Sequence, residues 1–392
     1  MDNSKRGFSL PNYEELTKEQ DRLIDWNRQG KKVVIGGPGT GKTTVALIIM
    51  KKLQQSDKHR SGLMLMFNQA LKNMSAQLTH IDVNTYHRWF KSEYLKRYKE
   101  IPPTLKENKW VYIWDKIKGV YLDVNNNTFN KDGFPIKNDD FLFIVDEGQD
   151  LPPGLYEFIN FHYNHIFITA DENQTLGDNN SGIEDIISIL KYPEKEIVEL
   201  SSNFRNTTQI ATFANTFFCA AFGKRPMPIG ERDGELPILY KYRNNFRNII
   251  ARIVNRHKGY PKKLIGILTP KNTIKEKYFK EITTQCQNNN NIYRQGKDIN
   301  HGKGGIAVIN IQETKGLEFD EVFFADINKL YYKANDPDQT RKMLYVVSTR
   351  PKDRLFILYD MNSPNQNILN LFPKDGKGFE GNDVLRIISE KE

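Results

Sequence analysis

Lys42, Thr43, Asp146 and Glu147 are the residues of this 392-residue chain best equipped to work on a phosphate chain. Lys42 and Thr43 close the segment Gly36-Gly37-Pro38-Gly39-Thr40-Gly41-Lys42-Thr43, a glycine, four residues and then Gly-Lys-Thr. Glycines let such a loop curl until its N–H groups converge on phosphate oxygens. A helix starting behind the loop adds the positive end of its dipole. Lys42 then reaches the outer phosphates, and the Thr43 hydroxyl completes a Mg²⁺ shell. Asp146 and Glu147 follow about a hundred residues later. Asp146 is suited to hold Mg²⁺ through water, and Glu147 to polarise the water that attacks the terminal phosphate. An Asp-Glu pair alone is common surface punctuation. Beyond a phosphate loop it is the expected second half of a nucleoside triphosphate hydrolysis site.

Those residues need elements to hold them. Val33-Val34-Ile35 reads as a strand before the loop, and Val45 to Leu53 as a helix after it. Phe141–Val145 is a buried-strand run that delivers Asp146 and Glu147 at its C-terminal end, the edge where ligands sit in open α/β sheets. Further strand-length runs are Leu63–Phe67, Ile166–Ala170, Ile197–Leu200, Leu264–Thr269, Ile306–Ile311, Val322–Ala325 and Leu355–Tyr359. They are nearly continuous rather than alternating, which predicts parallel strands covered by helices on both faces. The class is α/β. A Gly-, Pro- and charge-rich break near 221–235 divides the chain into domains at 1–220 and 221–392. Residues 90–139 read as a short, mostly helical insertion closed by an Asn/Asp/Gly-rich loop.

A net charge of +9 and a pI near 9.1 favour an anionic partner, nucleic acid first. Cys219 and Cys286 are too few for a zinc site and argue against a disulfide scaffold, so a reducing cytoplasm is expected. The polar start of the chain is unlike a signal peptide, and no apolar stretch approaches bilayer length, so no membrane partner is expected.

Asp146-Glu147-Gly148-Gln149-Asp150 resembles the DExQD box of superfamily 1A helicases, the UvrD/Rep/PcrA-like group. Other segments follow in that family's order. Leu16-Thr17-Lys18-Glu19-Gln20 resembles the adenine-reading Q motif. Phe67-Asn68-Gln69-Ala70-Leu71 and Thr85-Tyr86-His87-Arg88-Trp89-Phe90 resemble two strand-binding motifs. Ala170-Asp171-Glu172-Asn173-Gln174 is similar to GDxxQ, and Leu200-Ser201-Ser202-Asn203-Phe204-Arg205 to LxxNYR. Thr314-Lys315-Gly316-Leu317-Glu318-Phe319-Asp320 is similar to KGLEFD, and Tyr345 to Lys352 to YVAxTRAK.

The resemblance implies a P-loop NTPase of two tandem RecA-like parallel-sheet domains, with a short helical insertion in the first. It implies ATP and Mg²⁺ as cofactors, with Gln20, the 36–43 loop, Thr44 and Glu318 on the nucleotide. Glu147, Gln174, Arg205 and Arg350 are implied as catalytic groups, Arg350 being the arginine finger. A guanidinium is planar, permanently charged and bidentate, which suits charge developing on a transferring phosphoryl group. ATP would lie in a cleft that closes for hydrolysis. Asn68, Thr85, His87 and Lys315 are implied contacts to single-stranded or tailed duplex DNA, with movement 3′ to 5′. Tyr86, His87, Trp89 and Phe90 form an aromatic cluster that either stacks on bases or, for Trp89 and Phe90, belongs to a core. His162 and His165 have no further ligands nearby in sequence, which favours helix-end or solvent-facing histidines over a metal site.

The chain also departs from the family. Residues 270–304 are too few for the large second insertion. Gln312 and Asn310 replace a histidine and a threonine ahead of KGLEFD, and Thr175-Leu176-Gly177-Asp178 stands where base-stacking aromatics are usual. These departures keep a second reading open, a regulatory DNA-sensing ATPase subunit. Compact proteins of this kind resemble components of bacterial anti-phage systems that accompany a nuclease or other effector. An RNA-directed enzyme of the 1B type is weakened by the KGLEFD motif.

Overall fold

The computed structural model describes residues 13–56, 61–66, 83–123, 137–174, 180–219, 225–228, 232–286, 291–300, 302–332 and 336–390. They form two compact units. One continues through Gly36 and from Gly41 to Leu200; the other takes Ser201 onward together with Gly37–Thr40.

The N-terminal unit contains α1 (Lys18–Ile24), β1 (Lys31–Gly36), α2 (Lys42–Ser56), β2 (Ser61–Met66), β3 (Val83–Thr85), α3 (Tyr86–Tyr98), α4 (Trp114–Asp123), β4 (Asn138–Val145), α5 (Pro153–His162), β5 (Tyr163–Ala170), α6 (Ile183–Leu190) and β6 (Val198–Leu200). Its strands lie in the order β3-β2-β4-β5-β1-β6, all parallel. The reason is in the residues. Val33 and Val34 of β1, Phe143 to Val145 of β4 and Ile166 to Ile168 of β5 are wholly buried, so these strands need cover on both faces. Burying each such side chain stabilises the fold by roughly 1.5–3 kcal/mol. The N–H of Asp146 donates to Leu65 O, carrying the ladder one residue past β4 and fixing where the carboxylates emerge.

The C-terminal unit begins with β7 (Ser202–Asn203), α7 (Thr208–Asn215) and β8 (Met227–Pro228). It continues with β9 (Ile238–Tyr242), α8 (Phe246–Gly259), β10 (Leu264–Thr269), α9 (Asn272–Cys286), β11 (Ile292–Tyr293), β12 (Gly305–Asn310), β13 (Phe319–Phe324), α10 (Pro337–Ser348), β14 (Pro351–Asp360), α11 (Gln366–Leu369) and β15 (Arg386–Ser389). The sheet order is β11-β12-β10-β13-β14-β9-β15, again all parallel. Ile250 and Ile253 of α8 and Tyr278 and Ile282 of α9 pack on Ile265, Ile267, Ile306 and Val308. Within the 270–304 stretch the described residues include α9 and β11, elements of the sheet unit itself.

Every strand-length apolar run read from the sequence falls on a strand, Phe67 lying outside the described residues. Among the described residues six others gave no such signal: β3, β7, β8, β9, β11 and β15 are short, and β9 and β15 are half-buried or exposed along most of their length. No helix among the described residues is long and apolar enough to cross a membrane.

Candidate functional site

Gly39 and Gly41 adopt φ of +75° and +84°, the left-handed region that lets the loop curl. A Cβ on Gly41 would lie 2.4 Å from Gln20 Nε2, so the Gln20 amide sits directly against the loop. That amide is oriented by a capping box: Thr17 N–H donates to Gln20 Oε1 at 3.0 Å, and Gln20 N–H to Thr17 Oγ1 at 3.2 Å. Lys42 is buried, its Nζ donating to Gly36 O at 2.7 Å and lying 3.9 Å from Asp171 Oδ2. Thr44 is part-buried on the first turn of α2.

Asp146 is wholly buried and accepts from two hydroxyls, Thr43 Oγ1 at 2.7 Å and Thr169 Oγ1 at 2.5 Å. Burial, then the charge of Glu147, push its carboxyl above the ordinary range despite those bonds. Asp171, also buried, is pushed up by the same desolvation, against the pull of Lys42. A hydroxyl and a carboxylate converging in a buried, charge-strained spot suit a hard divalent cation. Among the described residues no cluster of three His, Cys, Asp or Glu forms a stand-alone metal cage.

Glu147 takes φ +54° and ψ +46°, a left-handed conformation unusual for a non-glycine residue and a common mark of functional positions. Gln149 Nε2 donates to Glu147 Oε2 at 2.7 Å, while Gln149 Oε1 accepts from Asp171 N–H at 2.8 Å. Gln174 Nε2 in turn donates to Asp171 Oδ2 at 2.5 Å. A continuous chain of hydrogen bonds therefore runs Glu147–Gln149–Asp171–Gln174, and its last three members are almost fully buried. Gly148 leaves the space this turn requires, since a Cβ there would meet Tyr156 Oη at 2.6 Å and an Ile168 methyl at 2.8 Å.

In the C-terminal unit the charge is arranged the other way. Glu318 pairs with Arg205 Nη2 at 2.5 Å and Lys352 Nζ at 3.0 Å. Burial alone would raise its carboxyl, but Arg205, Lys352 and Arg350 outweigh it and hold it at about 2. Arg350 is buried, with Nε on Val346 O at 2.9 Å and Nη1 on Leu317 O at 3.4 Å. Asn203 Oδ1 accepts from the N–H groups of Arg205 and Asn206, and Asn206 Nδ2 reaches Pro351 O at 2.5 Å. The two asparagines thus bind the Arg205 turn to the start of β14, beside Arg350.

Of the strand residues, Asn68 lies outside the described residues, as does Thr175-Leu176-Gly177-Asp178. Thr85 ends β3, the edge strand, and its hydroxyl makes no cap to α3. His87 is half-buried among the rings of Tyr86, Trp110 and Tyr112. Lys315 is buried in the C-terminal unit. Trp89 and Phe90 are core: Trp89 packs on Phe143 with centroids 4.8 Å apart and Phe90 on Phe158 at 5.1 Å. His162 ends α5 but is buried, bonded to Tyr98 Oη at 2.7 Å, and His165 Nδ1 accepts from Gly30 N–H at 2.8 Å. Neither is solvent-facing in the sense of lacking a protein partner. Sequence reading passed over Gln149, Asp171 and Asn206, although each lies in or beside a motif box. Thr169 and Lys352 carried no role either, and for Thr169 nothing in the strand run marks the hydroxyl.

A parallel sheet with a Gly-Lys-Thr loop ahead of α2 and a buried Asp at the end of β4 defines a P-loop NTPase. An AAA domain model matches residues 23–178, and a UvrD-like helicase C-terminal domain model matches residues 305–358. The chain is a UvrD-like superfamily 1 helicase of compact size, and its two all-parallel sheets are consistent with tandem RecA-like domains. No curated protein matches it. Among solved structures, the C-terminal domain of a possible DNA helicase from Lactobacillus plantarum WCFS1 aligns at 16% identity and a TM-score of 0.35. That alignment covers 47% of this chain and 99% of the other, and at such a score it bears on nothing further.

Proposed function

We propose that this protein is an ATP-dependent translocase or helicase on single-stranded DNA, moving 3′ to 5′ and coupling hydrolysis to closure of its two RecA-like units. The observation that carries this reading is the meeting of Thr43, Asp146 and Glu147 at one sheet edge, the set a Mg²⁺-dependent triphosphatase needs. Lys42 and the loop N–H groups bind and orient the phosphates, and Gln20 reads the base. Thr43 and Asp146 would hold Mg²⁺, which when bound would supply charge neutralisation on the phosphates. Glu147 takes the proton of the attacking water, while Arg205 and Arg350 stabilise charge on the transferring group. The Glu147-to-Gln174 hydrogen-bond chain supports coupling, since GDxxQ lies between the water-activating group and the strand path in the family this chain resembles.

Measuring ATP turnover by the full chain with and without single-stranded DNA tests the motor. Stimulation of ten-fold or more is expected; no stimulation at any strand length in low salt overturns it. A second reading, a DNA-sensing regulatory ATPase with little unwinding of its own, is favoured by α9 and β11 lying within the stretch that holds the second insertion in full-length helicases. Robust unwinding of a tailed duplex by the purified chain would discard that second reading.

A further inference from the structure

Residues 103–113 fold into a small antiparallel hairpin that presents one tryptophan. Thr104 bridges Tyr112, Leu105 N–H donates to Val111 O at 2.9 Å, and Ile113 N–H to Pro103 O at 2.9 Å. The Asn108 side chain closes the tip, its Oδ1 accepting from Trp110 N–H at 3.0 Å. The hairpin is anchored below by Tyr112, whose ring packs on Phe90 at 4.8 Å and whose hydroxyl donates to His87 O at 3.3 Å. Trp110 itself is 70% exposed. Its ring stands 79° to that of His87 with centroids 5.3 Å apart. His87 Nδ1 is buried without a hydrogen-bond partner. Burial favours the neutral imidazole, which suits a ring that others pack against.

We propose that Trp110 is a base-stacking platform for single-stranded nucleic acid, taking the place of the aromatic residues missing after Gln174. This rests on the strand-binding reading above. Three observations meet here. An indole this exposed leaves a large π-surface in water, which a base can cover regardless of its identity. Lys106 and Lys109 lie on the same exposed hairpin tip and, against the single carboxylate of Glu107, leave it net positive toward a phosphate backbone. And among the described residues the ring it meets is that of His87, the residue that the family resemblance implies for strand binding. A protein-docking role would ask for a broad apolar surround, whereas beyond the exposed Ile101 and Leu105 the tip residues 106–109 are exposed and polar or charged.

The four tryptophans make the test direct, because Trp26, Trp89 and Trp114 are buried or half-buried and Trp110 is exposed. The full chain is titrated with a dT20 oligonucleotide and with an abasic strand of equal charge, following tryptophan emission and the anisotropy of a dye on the strand. Binding of dT20 with quenching, and binding of the abasic strand without it, is expected. Trp110→Ala should weaken dT20 affinity about ten-fold. Trp110→Tyr should stay within about three-fold of wild type, and both should keep strand-independent ATP turnover. Wild-type binding without quenching, or equal dT20 affinity of Trp110→Ala and wild type, overturns the stacking role and leaves strand binding intact. Wild type that binds neither strand overturns both. Because quenching is read on the unaltered protein, a misfolded variant does not spoil the outcome.

Discussion

Around Asp146 the N-terminal unit gathers carboxylates, and around Glu318 the C-terminal unit gathers cations. Asp146, Glu147 and Asp171 lie close together with Lys42 as their nearby counter-charge, and burial drives the Asp146 and Asp171 carboxyls upward. Glu318 is the reverse, one carboxylate held down to about 2 by Arg205, Lys352 and Arg350. The difference teaches what each unit lacks. Surplus negative charge in a desolvated place is relieved by a divalent cation. Surplus positive charge on planar guanidinium groups is relieved by phosphate. Neither arrangement is explained by stability alone, since a buried unbalanced charge is costly.

The sharpest way to break the contrast is at Glu147. Glu147→Gln should retain nucleotide binding, read with a fluorescent ATP analogue, and lose about a thousand-fold in turnover. Near-normal hydrolysis would mean that the water is activated elsewhere. Next come the arginines. Arg205→Ala should lower kcat about a hundred-fold and also cost some stability, because its largely buried side chain is the first of the cations holding the Glu318 carboxyl down, while Lys352 stays paired with Glu318. Arg350→Ala should lose comparable activity and also about 3 kcal/mol of stability in a denaturant titration, since it strips bonds from the buried Val346 and Leu317 carbonyls.

A pair of charge-neutral variants sharpens the comparison through pH. The Glu318 carboxyl is lower in the folded protein than in the unfolded chain. Its contribution is therefore present above the ordinary carboxylate range, near 4, and lost as pH falls toward about 2. Glu318→Gln should cost roughly 2 kcal/mol at neutral pH and flatten the acid limb of the unfolding curve. The Asp146 carboxyl is raised instead, so its ionised form weakens the metal-free fold increasingly as pH rises above the ordinary range. Asp146→Asn should leave the melting temperature without Mg²⁺ unchanged or higher and abolish any rise on adding Mg²⁺. Equal destabilisation by both variants would erase the distinction between the two charge clusters. The smallest effect is expected at Gln149. Gln149→Ala leaves Glu147 and the Asp171 N–H short of a partner and should slow turnover about ten-fold, with a reduced ratio of strand-stimulated to basal rate.

Much of this molecule was legible along the chain because its central strands are buried on both faces, which writes them as unbroken apolar runs. Val33-Val34-Ile35 and Leu264–Thr269 are of that kind. Edge strands carry no such pressure: β3 is three residues long, and β15 alternates weakly and faces solvent. The motif boxes were legible because a phosphate loop and a carboxylate at a strand end need particular residue types at particular places. The role of Trp89 was not, since an aromatic residue reads alike whether it stacks on a base or on Phe143.

The sequence by itself determined the chemistry available: Lys42 and Thr43 after glycines, Asp146 and Glu147 after a strand, and arginines at 205 and 350. These depend on residue type and local spacing, which the chain carries directly. Only the tertiary structure decided who meets whom. It put Thr169 on Asp146, strung Gln149 between Glu147 and Asp171, set three cations around Glu318, and stood Trp110 beside His87. Such pairings join residues far apart in the chain, and they follow from how whole sheets and helices pack, which no local pattern encodes.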